Sequence, residues 1–327
     1  MNSIRRTCLQ VALTLALPLW VGAAHAQAAA QAYPSRPIQF YVSFGAGNAG
    51  DVVARAVARK MADNMRQPVV IENRPAPLVA ASTVAKAKPD GYSLFMAGSG
   101  TALTESLFTS LPYDILRDFQ HVSTMAAFDF ALLTNPGSQF KTLSAILAYA
   151  KANPGKLSMA TARVGSTSHL AAEILKAAAG VDIVLIPYKS TGEIITAVRG
   201  DQVQVAIELV PAILGQVKQN LLQPIAVTSK IRFPGLPNVP TVAESGVAGY
   251  EVSSWNGISV PADTPAPVVQ RLAQEIAAAV NSPEVRSELI AAGATPLIST
   301  PAQMTERMKG DVAKWRVVVE KANIPKQ

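Results

Sequence analysis

Apolar and polar residues alternate along 38–44. Ile38, Phe40, Val42 and Phe44 fall on one side, and Gln39, Tyr41 and Ser43 on the other. That is the period of a strand packed on at least one face. From Asp51 the period changes, and Val53, Val57, Met61 and Met65 recur at helical spacing. Gly45, Gly47 and Gly50 punctuate the turn between them. The same alternation of signals continues down the chain. Strands are expected at 69–71, at 92–97 behind the Asp90-Gly91 turn, and at 157–161, 183–186, 203–207 and 225–228. Helices are expected at 142–153, stopped by Pro154-Gly155, and at 169–179, closed by Gly180; Ser190 and Glu193 form a capping box that opens another. Residues 98–101 read as a small polar loop, and 233–240 as a proline-rich surface loop. Toward the end, Pro265, Pro283 and Pro301 stand in first helical turns behind Thr264, Ser282 and Thr300 as caps, with Gln303 completing a box.

Strands alternating with helices predict an α/β fold with largely parallel sheets. Two further strand-like stretches, 130–134 and 252–260, separate the first set of elements from the second. If the C-terminal helices return to the first set, these stretches are the two crossings of a hinge. The lobes are then 33–133 plus 253–327, and 134–252, with a ligand held between them.

Residues 1–26 change the picture by giving an address. Arg5 and Arg6 precede an apolar run from 8 to 24, and Ala24-His25-Ala26 is a small-residue cleavage site. This predicts an export signal cleaved after Ala26 and a periplasmic protein; the run is short for a membrane anchor. Thr7 to Gln10 match a twin-arginine signal poorly. Cys8, the only cysteine, leaves with the signal, so thiol chemistry, disulfides and cysteine metal sites are not expected. With 29 basic and 22 acidic residues the chain is mildly basic. That suits a small anion, while no Lys/Arg cluster interleaved with aromatics suggests nucleic acid. His121 and His169 are the only histidines past the signal, and neither a G-x-S-x-G elbow nor an H-E-x-x-H motif is present. No enzyme activity, metal or cofactor is expected.

The glycine turn is the candidate for chemistry. Bare backbone lets several N–H groups point into one cavity, and the start of a helix favours an anion. GAGNAG also fits G-x-G-x-x-G, and Glu72 stands near where a ribose-binding acid is expected. An exported nicotinamide-dependent oxidoreductase is therefore one reading, and glycines that merely permit a tight turn are another.

A set of motifs in order narrows the choice: Tyr33-Pro-Ser-Arg-Pro-Ile38, the glycine turn ending in Asp51, Pro68-Val-Val-Ile-Glu-Asn-Arg-Pro75, Pro89-Asp-Gly-Tyr92, Leu111-Pro-Tyr-Asp114, Thr167-Ser-His-Leu170, Pro187-Tyr-Lys189, Leu236-Pro-Asn-Val-Pro-Thr241 and Gly249-Tyr-Glu-Val-Ser-Ser-Trp255. Together they resemble the solute-binding proteins of tripartite tricarboxylate transporters, the Bug type, over nearly the whole chain past the signal. The resemblance implies a two-domain periplasmic-binding-protein (Venus-flytrap) fold with a hinge between lobes. It implies a monomer that captures a small organic carboxylate for a membrane permease and performs no catalysis. Presentation of the ligand to a membrane sensor would use the same chemistry.

The resemblance also implies a site. Phe44, Ala46, Ala49, Gly50 and Asp51 fall on the loop whose amides hold a carboxylate, and Asn48 either adds a contact or supports the turn. Ser99 and Thr101 either bond the ligand or cap a helix. Ser166, Thr167 and Ser168 face the first loop from the second lobe, His169 follows in the first helical turn, and Tyr188 lines the cleft or fills the core. Three departures stand out: Gly45-Ala46-Gly47-Asn48 replaces a Pro-Gly-Gly arrangement, Ala-Pro-Leu-Val at 76–79 replaces a glycine-rich run, and Glu208-Leu209 replaces an Asp-Asn pair. A carboxylate at 208 would accept a ligand ammonium and repel a second carboxylate. That predicts a ligand less negative than citrate, zwitterions included; the alternative is a solvated or salt-bridged Glu208.

Overall fold

The first βαβ unit forms where the two periodicities place it. In the computed structural model, which describes residues 33–74, 76–322 and 324–326, β1 (Ile38–Val42) leads into α1 (Ala49–Met65), and β2 (Val69–Asn73) runs parallel to β1. Ile38, Phe40 and Val42 are buried on the strand, and Val53, Val57 and Met61 on the helix. α2 (Pro77–Ala85), β3 (Ser93–Gly98) and α3 (Ser99–Leu107) follow, with β3 parallel to β1 on its other edge. The expected export signal and the cleavage site after Ala26 lie outside the described residues.

β4 (Phe119–Thr134) then crosses the molecule. Beyond it come α4 (Leu143–Ala152), β5 (Ser158–Thr161), α5 (Thr167–Ala179), β6 (Val184–Pro187), α6 (Thr191–Arg199), β7 (Val205–Leu209), α7 (Val210–Lys218) and β8 (Gln223–Val227). The chain returns through β9 (Ser253–Pro261), α8 (Ala266–Asn281), α9 (Pro283–Ala291), β10 (Thr295–Pro296) and α10 (Pro301–Lys321). The strand order is β2-β1-β3-β9-β4-β7-β5-β6, with β8 and β10 also paired to β4.

β4 belongs to both lobes. Up to Asp129 it pairs with β9, ending on the Asp129–Ser253 pair. From Phe130 it pairs instead with β7 and β8. The handover thus falls inside the strand on which the sequence reading sets its 133/134 boundary. The C-terminal helices do return to the first set: α8 and α9 lie on α1, and α10 lies on α3. Arg59 to Glu288 at 2.6 Å and Lys60 to Glu284 pair α1 with α9. No helix among the described residues is long and apolar enough to cross a membrane.

Three local expectations are corrected. Residues 98–101 are not a loop, because α3 begins at Ser99 directly behind β3. Thr264 does not cap α8: its hydroxyl donates to Pro261 C=O at 2.7 Å, and Pro265 holds the cap position. Ser282 holds the cap position of α9 as expected, but without a side-chain capping bond, its hydroxyl donating to Ala279 C=O instead. The Thr300–Gln303 box forms as expected, with reciprocal bonds of 3.2 and 2.9 Å.

Candidate functional site

The glycine turn is built on a buried acid. Asn48 caps α1, its Oδ1 accepting the Asp51 N–H at 2.9 Å. The Asp51 carboxylate, 2 % exposed, accepts from Gly47 N–H, Arg55 Nε and Asn73 Nδ2, each at 2.8 Å. Asn73 Nδ2 also donates to Phe44 C=O at 3.0 Å, and Arg55 Nη2 donates to Asn73 Oδ1 at 2.8 Å. Burial by itself would raise the Asp51 carboxyl, but the bonds from Arg55, Asn73 and Gly47 prevail and hold it below the usual carboxylate range. This network fixes the turn from beneath. The Ala49 and Gly50 N–H groups, first in α1, have no intrahelical acceptor and remain available above it. Gly50 must be bare: a Cβ there would stand 2.7 Å from the Phe44 ring.

Above the turn lies a cavity of about 540 Å³ between the lobes. The first lobe contributes Phe44 and residues 47–50; the second contributes Leu209, Pro211 and Ala212. Phe128, Ser254 and Asn256 line it from the crossing strands. No lining side chain carries a charge. A smaller cavity of about 200 Å³ shares Phe44 and Asn256 and continues to Gly98, Thr101 and Thr104.

The expected site residues divide into two groups. Phe44, Asn48, Ala49 and Gly50 line the main cavity, and Thr101 lines the smaller one. Thr101 also caps, accepting the Gly98 N–H at 3.3 Å. Ala46 is exposed and lines neither. Ser99 is fully buried, and its Oγ accepts the Trp255 N–H at 3.1 Å and donates to Asp311 Oδ2 at 3.4 Å. Its hydroxyl is therefore spent inside the protein, a correction to its expected place in the cleft.

In the second lobe, Ser166 caps α5 by accepting the His169 N–H at 3.2 Å, and Ser168 accepts the Ala162 N–H at 3.1 Å. Thr167 is the first residue of α5, and His169 Nδ1 lies 3.2 Å from Thr161 Oγ1. Tyr188 is half-buried against the second-lobe core. None of these lines either cavity. Glu208 is buried, with Oε1 accepting Leu209 N–H at 2.7 Å and Oε2 accepting the Thr191 hydroxyl at 3.3 Å. Burial raises its carboxyl against the pull of those two bonds. The next residue, Leu209, faces the cavity in its place.

Sequence reasoning missed Phe128, residues 211–212, Ser254 and Asn256. Asn256 carried a signal, since it is a polar amide within the strand-like stretch 252–260. The others follow from lobes that meet only in three dimensions.

Two lobes joined by a shared strand, with the ends of parallel strands opening on a cavity between them, define a solute-binding protein of the clamshell kind. The comparisons with known proteins make this specific. The model of the tripartite tricarboxylate transporter family receptor matches residues 53–324, and this chain belongs to that family. It is 35 % identical over 298 residues to Protein BugT of Bordetella pertussis, covering 90 % of this chain and 91 % of that protein. R. palustris Rpa4515, solved with adipate, is 30 % identical with a TM-score of 0.74, covering 90 % of this chain and 100 % of that one. Periplasmic binding protein BugD is 31 % identical with a TM-score of 0.71, again covering 90 % and 100 %.

Proposed function

We propose that this chain is a periplasmic solute-binding protein. It closes on a small organic carboxylate and delivers it unchanged to the membrane permease of a tripartite tricarboxylate-type uptake system, acting as a monomer. One observation carries the reading: the free first amides of α1 open on an uncharged cavity between two lobes. A carboxylate there meets N–H donors at the positive end of a helix, and each charge-assisted bond is worth about 1.5–3 kcal/mol. Adipate bound to Rpa4515 and the periplasmic location of BugD support the ligand class and the compartment, in keeping with the export signal expected at 1–26. Lobes 33–133 plus 253–327 and 134–252 rotate about the β4 and β9 crossings. The start of α5, residues 166–168, then supplies amides from the opposite side, with Tyr188 beside them. Ligand stabilises the closed form, which the permease reads.

The lining holds no titratable side chain to act as acid, base or charged nucleophile, which supports a binder. A dinucleotide is disfavoured at the turn: Gly47 N–H, one of the glycine amides a pyrophosphate would draw on, is committed to Asp51. Glu72, the would-be ribose acid, lies 3.6 Å from Arg74. A thermal-shift panel of mono-, di- and tricarboxylates, amino acids and NAD(P) tests the reading. A rise in Tm with a carboxylate and none with NAD(P) is expected; a rise with NAD(P) alone would overturn it.

A further inference from the structure

Asn256 stands out among the polar groups of the cavity. It is 8 % exposed, sits on β9 where the lobes meet, and lines both cavities. Its side-chain amide makes no hydrogen bond among the described residues. An amide with no protein partner that opens on a cavity is free to bond a group arriving from outside. The orientation says where. A Cβ placed on Gly50 would lie 3.2 Å from Asn256 Nδ2, and one on Gly98 would lie 2.9 Å from Oδ1. The –NH2 thus sits beside Gly50 in the first turn of α1, and the oxygen lies beside Gly98, just before α3.

Apart from Asn48 and Ser254 the cavity wall is apolar: Phe44, Phe128, Leu209, Pro211 and Ala212 surround the space beyond the amides. No Lys, Arg or His reaches it to neutralise a second charge. The acids that adjoin lining residues in sequence, Asp51, Asp129 and Glu208, are carboxyls and offer a second carboxylate no countercharge, and Glu208 is closed off by Leu209 N–H and Thr191. A second carboxylate on the ligand would be stripped of water without a partner.

We infer that the cavity takes a monocarboxylate with an apolar body, its single charged head held between the first amides of α1 and the Asn256 amide. This rests on the carboxylate-binding reading above and narrows it. Asn256 is the specificity-determining side chain, because its amide has no partner among the described residues and stands beside the first turn of α1, where the charge must sit; Ser254 and Asn48 are the other polar side chains of the lining.

The test pairs hexanoate with adipate, which share a chain length and differ by one carboxylate, in titration calorimetry on the purified protein. Hexanoate is expected to bind at least about 10-fold more tightly than adipate. Asn256→Leu should weaken hexanoate by about 10-fold, and Asn256→Asp by more, through like-charge repulsion at the head. Should those variants fail to fold, Leu209→Arg decides: a cation on the apolar wall should make adipate the tighter ligand. Adipate binding as well as hexanoate to the unaltered protein, unchanged hexanoate affinity in a folded Asn256→Leu, or no gain of adipate in Leu209→Arg would each overturn the inference and leave the carboxylate reading standing. Loss of all carboxylate binding in the unaltered protein would overturn both.

Discussion

The starts of α1 and α5 use one capping device to different ends. At each, a side chain takes the third N–H of the helix, Asn48 receiving Asp51 and Ser166 receiving His169. What surrounds the remaining amides differs. Before α1, glycine and alanine put no competing side chains near them, and a buried acid braced by Arg55 and Asn73 holds the turn from below. At α5, the hydroxyls of Ser166 and Ser168 lie 3.2 Å apart and serve the protein's own backbone, while a neutral-side histidine bond to Thr161 replaces the acid. The α1 start lines the cavity and the α5 start does not. Serine and threonine at a helix start are thus weaker evidence for a ligand than their absence, because hydroxyls satisfy themselves locally.

The contrast can be broken most forcefully at Asp51. Asp51→Ala leaves Gly47 N–H, Asn73 and Arg55 without their shared acceptor, and should cost about 3–5 kcal/mol in denaturant unfolding. Carboxylate affinity should fall with it, since the amides above lose their support. Stability reduced with affinity intact would show that the turn is shaped without its acid.

The joint between the two regions offers a smaller effect with a definite sign. Asp129, buried at the handover in β4, has its carboxyl raised from 3.8 to about 6 by burial. The folded state therefore holds this proton more tightly, and the stability it contributes at acid pH is lost as pH rises through about 6. Burial lowers His121 from 6.5 to about 4, so its contribution is full above 6.5 and is lost as pH falls toward 4. The two slopes oppose each other. Asp129→Asn should gain on the order of 2–3 kcal/mol at neutral pH, and urea unfolding across acid to neutral pH should reveal the histidine slope that the acid masks. An unchanged pH profile would mean the Asp129 carboxyl titrates as it does in the unfolded chain.

The smallest effect is expected at Ser166. Ser166→Ala removes the α5 cap and should cost about 1 kcal/mol, with carboxylate affinity, read by calorimetry, changed far less than by Asp51→Ala. A large affinity loss would place the Ser166 hydroxyl on the ligand and erase the contrast.

Much of this was legible in the chain. The change of period from 38–44 to 51–65 located β1 and α1, and the hinge followed from two stray strand signals and the helical C-terminus. Elsewhere a local signal had a distant cause. Gly98 looked like loop punctuation, yet it is required because a Cβ there would lie 2.0 Å from Trp255 C=O on β9. Ser99 looked like a ligand contact, but its partner Asp311 is 212 residues away. β4 was read only from 130 because its earlier half carries the buried polar residues His121, Ser123 and Thr124, which break the apolar run that 130–133 shows. Half of the cradle, Asn48 to Gly50, could be read from composition and spacing. The apolar wall from 209 to 212 could not, because its role exists only once the second lobe faces the first.

The unbroken run of β4 has a mechanical consequence. Its peptide groups are bonded to neighbours on both sides of the crossing, to Ser253 before it and to Leu209 and Thr228 after it. Rotation of one half against the other cannot be absorbed by a single slack joint and must spread as extra winding along the ribbon. If the lobes rotate as proposed, such a ribbon pushes back harder the further it is wound, a spring with one rest angle rather than a door that swings free.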